Sequence, residues 1–241
     1  MGISKIIKKN ILEPAFGLIN QIVKIDRSKA SKEKWEKEAQ KGEFEFHKGN
    51  KWRNSPRFMQ DTILLFDSFG FSRDQYKGKT VLDLGAGSKL RCKYFQGAKL
   101  IAIEPMADDC VREIPWTDLT DAEGLYSIPA EEFVPELEEQ VDFLFSVNVL
   151  DHCFDFKDIL KNIHRYLKPD GLAFLSFDVH FVTDEMHPLI LTDKVCIEIF
   201  EETGFKIQKK NRGFFGKYKE AKKTDTYGHG SYCLNYWLTK N

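Results

Sequence analysis

Thr80-Val81-Leu82-Asp83-Leu84-Gly85-Ala86-Gly87-Ser88 is the stretch whose reading decides the fold. Val81, Leu82 and Leu84 form an apolar run of strand length. It ends in a glycine turn, Gly85-Ala86-Gly87, where the backbone can approach a ligand and take dihedral angles that other residues resist. About twenty residues on, a second apolar strand, Leu100-Ile101-Ala102-Ile103, ends in Glu104. Strand, Gly-rich turn, short helix and a second strand ending in a carboxylate make a nucleoside-binding half-site, with Glu104 placed to accept both ribose hydroxyls.

The turn also selects the nucleoside. A dinucleotide site needs G-x-G-x-x-G, but the third position is Leu90. Asp83, two residues before the first glycine, would repel a pyrophosphate. A ligand with a cationic amino group and no phosphate fits better, which counts against a nicotinamide-dependent oxidoreductase. On Asp83, Gly85 and Gly87 the sequence resembles the class I S-adenosylmethionine (SAM)-dependent methyltransferases, whose first motif is D/E-x-G-x-G. The resemblance implies a Rossmann-like α/β fold: a seven-stranded, mostly parallel sheet with an antiparallel last strand. It also implies SAM as cofactor, bound by Asp83, Gly85, Ala86, Gly87 and Glu104.

Upstream, Gly42-Glu43-Phe44 followed by His47, Asn50 and Arg53 in H-x-x-N-x-x-R spacing resembles the segment preceding the core in methyltransferases of the ubiquinone-biosynthesis type. That resemblance puts Arg53 on the SAM carboxylate, a task suited to a planar guanidinium. His47 reads as a structural hydrogen-bonder. Residues 28–41 are charged and helix-prone around Trp35, and Asn54 to Gly70 reads as a helix with Phe58, Ile63, Leu64, Leu65 and Phe66 on its apolar side. Nearer the start, Ile3, Ile6, Ile7, Ile11, Phe16, Ile19, Ile22 and Val23 recur near helical spacing, divided at Pro14. Residues 1–25 then either lie on a membrane surface or pack on the domain or a second subunit, and packing is the preferred reading. The chain divides into a helical N-terminal extension, residues 1–70, covering the cofactor, and a SAM-binding domain, residues 71–241.

Downstream, Tyr126-Ser127 closes a short third strand and leads to Ile128-Pro129-Ala130-Glu131, where the resemblance puts adenine contacts on Ala130 and Glu131. A fourth strand, Val141 to Ser146, brings Asn148 to the methionine part of SAM. The segment Asn148-Val149-Leu150-Asp151 lacks the Pro-Pro-Tyr that would hold a flipped base, which argues against a nucleic-acid acceptor. Lys161 to Leu167 reads as a helix ending at a turn, Lys168-Pro169-Asp170-Gly171, before a fifth strand, Leu172 to Phe177. Val195 to Glu202 reads as a helix closed by Thr203-Gly204. Phe205-Lys206-Ile207 and Tyr232 to Leu238 read as an edge hairpin, with Asn211 to Gly230 as a flap or plain loop.

Methyl transfer requires in-line positioning, exclusion of water and, for a hydroxyl acceptor, removal of a proton. Histidine is suited to that last task. His152, His180 and His187 all fall in loops expected at the carboxyl edge of the sheet. His152 is the first candidate base, His187 the second and His180 the third, while His164 lies mid-helix and reads as structural.

A chain of 241 residues with 42% apolar content suits one α/β domain with an extension. The net charge of −1 hides an asymmetry: residues 1–60 carry twice as many basic as acidic groups, and in residues 104–142 Arg112 is the single basic residue among many acids. The five cysteines are scattered without C-x-x-C, so reduced thiols, a cytoplasmic protein and no zinc or other metal site are expected. Lys8-Lys9 and Glu13-Pro14 break the N-terminal apolar run, so it cannot span a bilayer. The reading is an enzyme moving a methyl group from SAM to a hydroxyl of a small-molecule, sugar or lipid-linked acceptor, with peripheral membrane contact through residues 1–25 left open. The alternative is a non-catalytic SAM-binding regulatory protein, against which intact Asp83, Gly85, Gly87 and Glu104 speak.

Overall fold

The computed structural model describes residues 28–180, 182–213 and 232–241. The amphipathic start and nearly all of the Asn211 to Gly230 loop lie outside these residues. Seven strands, β1 (Thr80–Leu84), β2 (Lys99–Ile103), β3 (Gly124–Tyr126), β4 (Val141–Val147), β5 (Leu167–Val179), β6 (Phe205–Gly213) and β7 (Tyr232–Lys240), form one sheet in the order β3-β2-β1-β4-β5-β7-β6. The pairs from β3 through β5 are parallel, and β7 runs antiparallel to both β5 and β6. The expected architecture is thus present, with the last strand inserted between β5 and β6. Strand order reverses at β1, which pairs with β2 on one side and β4 on the other, and ligands of such sheets bind outside the strand ends at that reversal.

The two-residue period of β1 assigns its side chains to two different cores. Leu82 and Leu84 join Ile101, Ile103 and Leu144 against Ile159, Leu160 and Ile163 of the helix Phe156–Tyr166. Val81 faces the other side, with Phe143, Phe145 and Phe174, against Leu65 and Phe66 of the helix Arg57–Ser68. Phe66 is the hub there, with ring centroids 4.9 Å from Tyr94, 5.1 Å from Phe95 and 5.0 Å from Phe145. The helix Arg57–Ser68 therefore shares the sheet's own core, although it was expected within the extension.

The turn expected at Lys168 to Gly171 is a correction. Leu167 already pairs with Val141, and pairing resumes at Phe143 with Leu172, so the intervening residues form a bulge within β5. Gly171 makes that possible, because a Cβ there would lie 3.0 Å from the Val141 carbonyl oxygen.

Before the sheet, Ser31 caps a helical run of Lys32–Lys34, a π-helical turn Trp35–Ala39 and a helix Gln40–Gly49. Within the π-helical turn both Trp35 and Ala39 are buried. Trp35 Nε1 donates to the His152 carbonyl at 2.6 Å, and the backbone pairs Ala30 N to Phe154 O and Phe156 N to Ser28 O pin the run's start to the loop after β4. This helix thereby forms a wall over the strand ends. Among the described residues, no helix is long and apolar enough to cross a membrane.

Candidate active site

A cavity of about 330 Å³ opens at the reversal point, within the range typical of small-molecule sites. Its floor is the glycine turn after β1. Gly85 has φ +79°, and a Cβ there would lie 2.3 Å from Val149 Cγ1; Gly87 has φ +62°, and its Cβ would meet His47 Cε1 at 2.4 Å. Both positions therefore require glycine for conformation and for room. Ala86, Glu104, Ala130 and Asn148 line the same cavity, and Asn148 takes the left-handed φ of +59° that asparagine tolerates.

Glu104 Oε2 accepts from Gly87 N at 2.7 Å and its Oε1 from Met106 N at 3.1 Å, so the carboxylate ties the end of β2 to the glycine turn. Burial raises its pKa to about 6, against the lowering effect of those two amides. Arg53 reaches the cavity from the opposite wall. Asn50 Oδ1 accepts from Trp52 N and Arg53 N, an Asx turn that sets the backbone of Arg53. The Nε and Nη1 atoms of Arg53 are buried and have no hydrogen-bond partner, and burial, followed by repulsion from Arg91, lowers the guanidinium pKa to about 9. A buried guanidinium with free donors fits a ligand carboxylate. On these observations the residues present fit SAM: Glu104 for the ribose, the glycine turn for close backbone approach, Arg53 for the amino-acid end.

Two expected cofactor residues are placed elsewhere. Asp83 does not line the cavity. The β1 alternation sends it to the aromatic face, where Oδ2 accepts from Arg91 N at 2.9 Å and Cys92 N at 3.1 Å. Burial raises its pKa to about 7 against those bonds, and its task is to fold the turn back over β1. Glu131 likewise turns away: Oε1 accepts from Phe154 N and Asp155 N, holding the loop that leads into the helix Phe156–Tyr166.

The far end of the cavity is a histidine cluster. His152 and His187 line it, with ring centroids 4.4 Å apart, and His180 stacks on His187 at 4.0 Å from behind the wall. Asp151, 1% exposed, sits among them, with His180 Nε2 2.9 Å from its Oδ2. His152 Nδ1 lies 2.9 Å from Glu43 Oε1, an ion-pair contact that is not aligned as a hydrogen bond. Burial lowers the pKa of His152, but Asp151 and Glu43 outweigh it and bring the value to about 9. The first candidate base is therefore an imidazolium at neutral pH, unable to accept a proton. His187 is the reverse: burial and the neighbouring His152 and His180 lower its pKa, so it stays neutral.

Residues not singled out from sequence also line the cavity, among them Gln40, Glu43, Phe46 and Met186. Glu43 and His47 are one helical turn apart, and their shared face is a signal that the spacing contains. His47 bonds Ser88 Oγ through Nδ1, and burial, with Arg53 next, holds its pKa well below the usual value. All five cysteines are free and buried.

Residues 51–191 match the methyltransferase domain family, and the chain belongs to that family. Its fold and the order of its motifs are those of the class I SAM-dependent methyltransferases. The ubiquinone biosynthesis O-methyltransferase of Pseudomonas paraeruginosa is 30% identical over 105 residues, 41% of this chain and 44% of that protein. The tRNA U34 carboxymethyltransferase of Campylobacter lari is 24% identical over 159 residues, 61% of this chain and 54% of that protein. The chain thus spans about half the length of these curated relatives. The 1,6-didemethyltoxoflavin-N1-methyltransferase of Burkholderia thailandensis, solved with its acceptor and S-adenosylhomocysteine, shares the fold at a TM-score of 0.57 and 18% identity, over 90% of this chain and 93% of that one.

Proposed function

We propose that this chain transfers the methyl group of SAM to a hydroxyl of a small, sugar or lipid-linked acceptor held at the histidine end of the cavity. The observation that carries the reading is one cavity lined at once by the Gly85–Gly87 turn, Glu104 and Arg53 and, at its other end, by His152 and His187. When bound, SAM supplies a methyl group already activated by the sulfonium charge. Glu104 accepts from the ribose hydroxyls, and Arg53 pairs with the carboxylate. The helical wall carrying Glu43 and Phe46 excludes water. His187, neutral and facing the cavity, takes the acceptor's proton; His152, charged and paired with Glu43 and Asp151, presents its positive charge to the acceptor oxygen. The acceptor assignment draws support from the O-methyltransferase relative, while the N-methyltransferase neighbour shares the fold alone.

The test is incubation with SAM labelled in its methyl group and separated lipid, glycan, protein, nucleic-acid and small-metabolite fractions. Label should enter a lipid, glycan or small-metabolite fraction, and Glu104→Ala should abolish it. Label in nucleic acid or protein would remove the proposed acceptor class. Label in no fraction, with S-adenosylhomocysteine still bound, would favour a regulatory SAM-binding protein.

A further inference from the structure

The histidine cluster is more ordered than proton transfer demands. Asp151, His152 and His187 each offer one ligand atom, and the three atoms lie within 4.8 Å of one another. For His187 and Asp151 the other polar atom is hydrogen-bonded, and for His152 it faces a carboxylate oxygen at ion-pair distance. His152 Nδ1 faces Glu43 Oε1 at 2.9 Å, His187 Nδ1 lies 2.9 Å from Asp184 Oδ1, and Asp151 Oδ2 lies 2.9 Å from His180 Nε2. A carboxylate or its equivalent behind each ligand is the outer shell that fixes tautomer and aim at metal sites. Within the cluster His152 Nε2 lies 3.8 Å from Asp151 Oδ2. Asp151 Oδ1 is buried and has no hydrogen-bond partner, an orphaned acceptor in a 1% exposed side chain. A third carboxylate, Asp178, is 6% exposed beside the cluster, and its Oδ1 also lacks a partner.

We propose that Asp151, His152 and His187 form a binding site for a divalent first-row transition cation at the acceptor end of the cavity. Two imidazoles and one carboxylate are a borderline donor set that suits zinc, and also cobalt, nickel, iron or manganese. Bonds of about 2.1 Å place tetrahedral ligands about 3.4 Å apart, so the three atoms, within 4.8 Å of one another, close by at most about 1.4 Å when the ion enters. Such a site is made by side chains and needs none of the cysteines, which explains why cysteine spacing gave no sign of it. Because His152 and His187 line the cavity and Asp151 lies behind them, the remaining coordination position faces the acceptor.

This inference rests on the proposed methyl transfer and deepens it: the site takes acceptors with a hydroxyl able to bind a cation. The oxygen donates a lone pair to the ion, the O–H bond weakens, and its proton passes to water while the electron pair stays on oxygen. Entry of the ion displaces the proton that His152 carries without it, so both histidines then bind as neutral imidazoles; without the ion, His187 takes the acceptor's proton itself.

The experiment uses the full chain stripped with EDTA and titrated with Co²⁺, read by visible absorption and by dialysis. One equivalent should bind, with the d–d spectrum of nitrogen and oxygen ligands, no thiolate charge-transfer band, and displacement by Zn²⁺. Asp151→Asn and His187→Gln should each weaken binding by tenfold or more, whereas Cys153→Ser should leave it unchanged. Should the variants not fold, Co²⁺ broadening of histidine ring resonances in the unsubstituted protein decides. Broadening of His152 and His187 ahead of His164 supports the site. No saturable Co²⁺ binding, or binding that survives both substitutions, overturns it. Methyl transfer that persists in EDTA with no Co²⁺ bound removes the cation site and leaves the function; Co²⁺ bound with no label transferred does the opposite.

Discussion

Replacing Arg53 by methionine separates a cofactor-binding role from a structural one. The guanidinium has two buried donors, Nε and Nη1, without partners, and lies over the Phe58 ring at 5.4 Å. Methionine keeps an unbranched stem on that ring and removes the charge. If the donors serve the ligand carboxylate, their loss costs about 2 kcal/mol of charge-assisted hydrogen bonding, which is about thirtyfold in Kd. The empty protein should respond in the opposite sense. Burial lowers the Arg53 pKa to about 9, so at pH 7 the folded state holds a desolvated cation that the unfolded state hydrates freely. Arg53→Met should therefore unfold at or above the temperature of the unsubstituted protein. Isothermal titration with S-adenosylhomocysteine should show the thirtyfold loss. Titration with 5′-methylthioadenosine, which lacks the amino-acid end, should show none. In turnover, KM for SAM should rise by the same factor with kcat unchanged. Unaltered affinity for S-adenosylhomocysteine, or an equal loss for both ligands, would refute the assignment.

Four other outcomes follow from the geometry and the shifted titrations. The pKa of Glu104 is raised by burial to about 6, and its ionised form is the one that accepts from a ribose, so S-adenosylhomocysteine affinity should fall about tenfold between pH 7 and pH 5 in the unsubstituted protein and not in Glu104→Gln. The same raised pKa means that Glu104 favours the empty folded state at low pH, and this contribution is lost as pH rises through about 6, as urea midpoints of the two proteins should show. His187→Ala should cut turnover by about a hundredfold while leaving the S-adenosylhomocysteine Kd unchanged, and a loss in Kd instead would make it a cofactor residue. Phe66→Ala, at the centre of the aromatic face, should cost about 3–5 kcal/mol in urea denaturation, and a cost under about 1 kcal/mol would contradict the packing described.

The parts of the site that come from one local pattern were legible in the sequence. Gly85, Gly87 and Glu104 lie at consecutive strand ends, and the apolar runs before them name the strands. Asp83 shows the limit of motif reading: the motif marks it as a site residue, but strand alternation puts its side chain with Phe143 and Phe145, and it serves backbone amides. Lys168 to Gly171 carried a turn signal that parallel pairing of β5 with β4 overrode, leaving a bulge. The histidine cluster was the least legible. His152 and His187 are separated by a helix and a strand in sequence, and the charge state of His152 depends on Glu43, which arrives from the N-terminal helix. Only tertiary contact makes it an imidazolium.

The central claim is methyl transfer to oxygen. The most direct test supplies SAM with a ¹³C-labelled methyl group, isolates the labelled product and records the chemical shift of its methyl carbon. A methyl-ether shift, with the signal absent in Glu104→Ala, is the predicted result. An amine-methyl or carbon-bound methyl shift would contradict the claim.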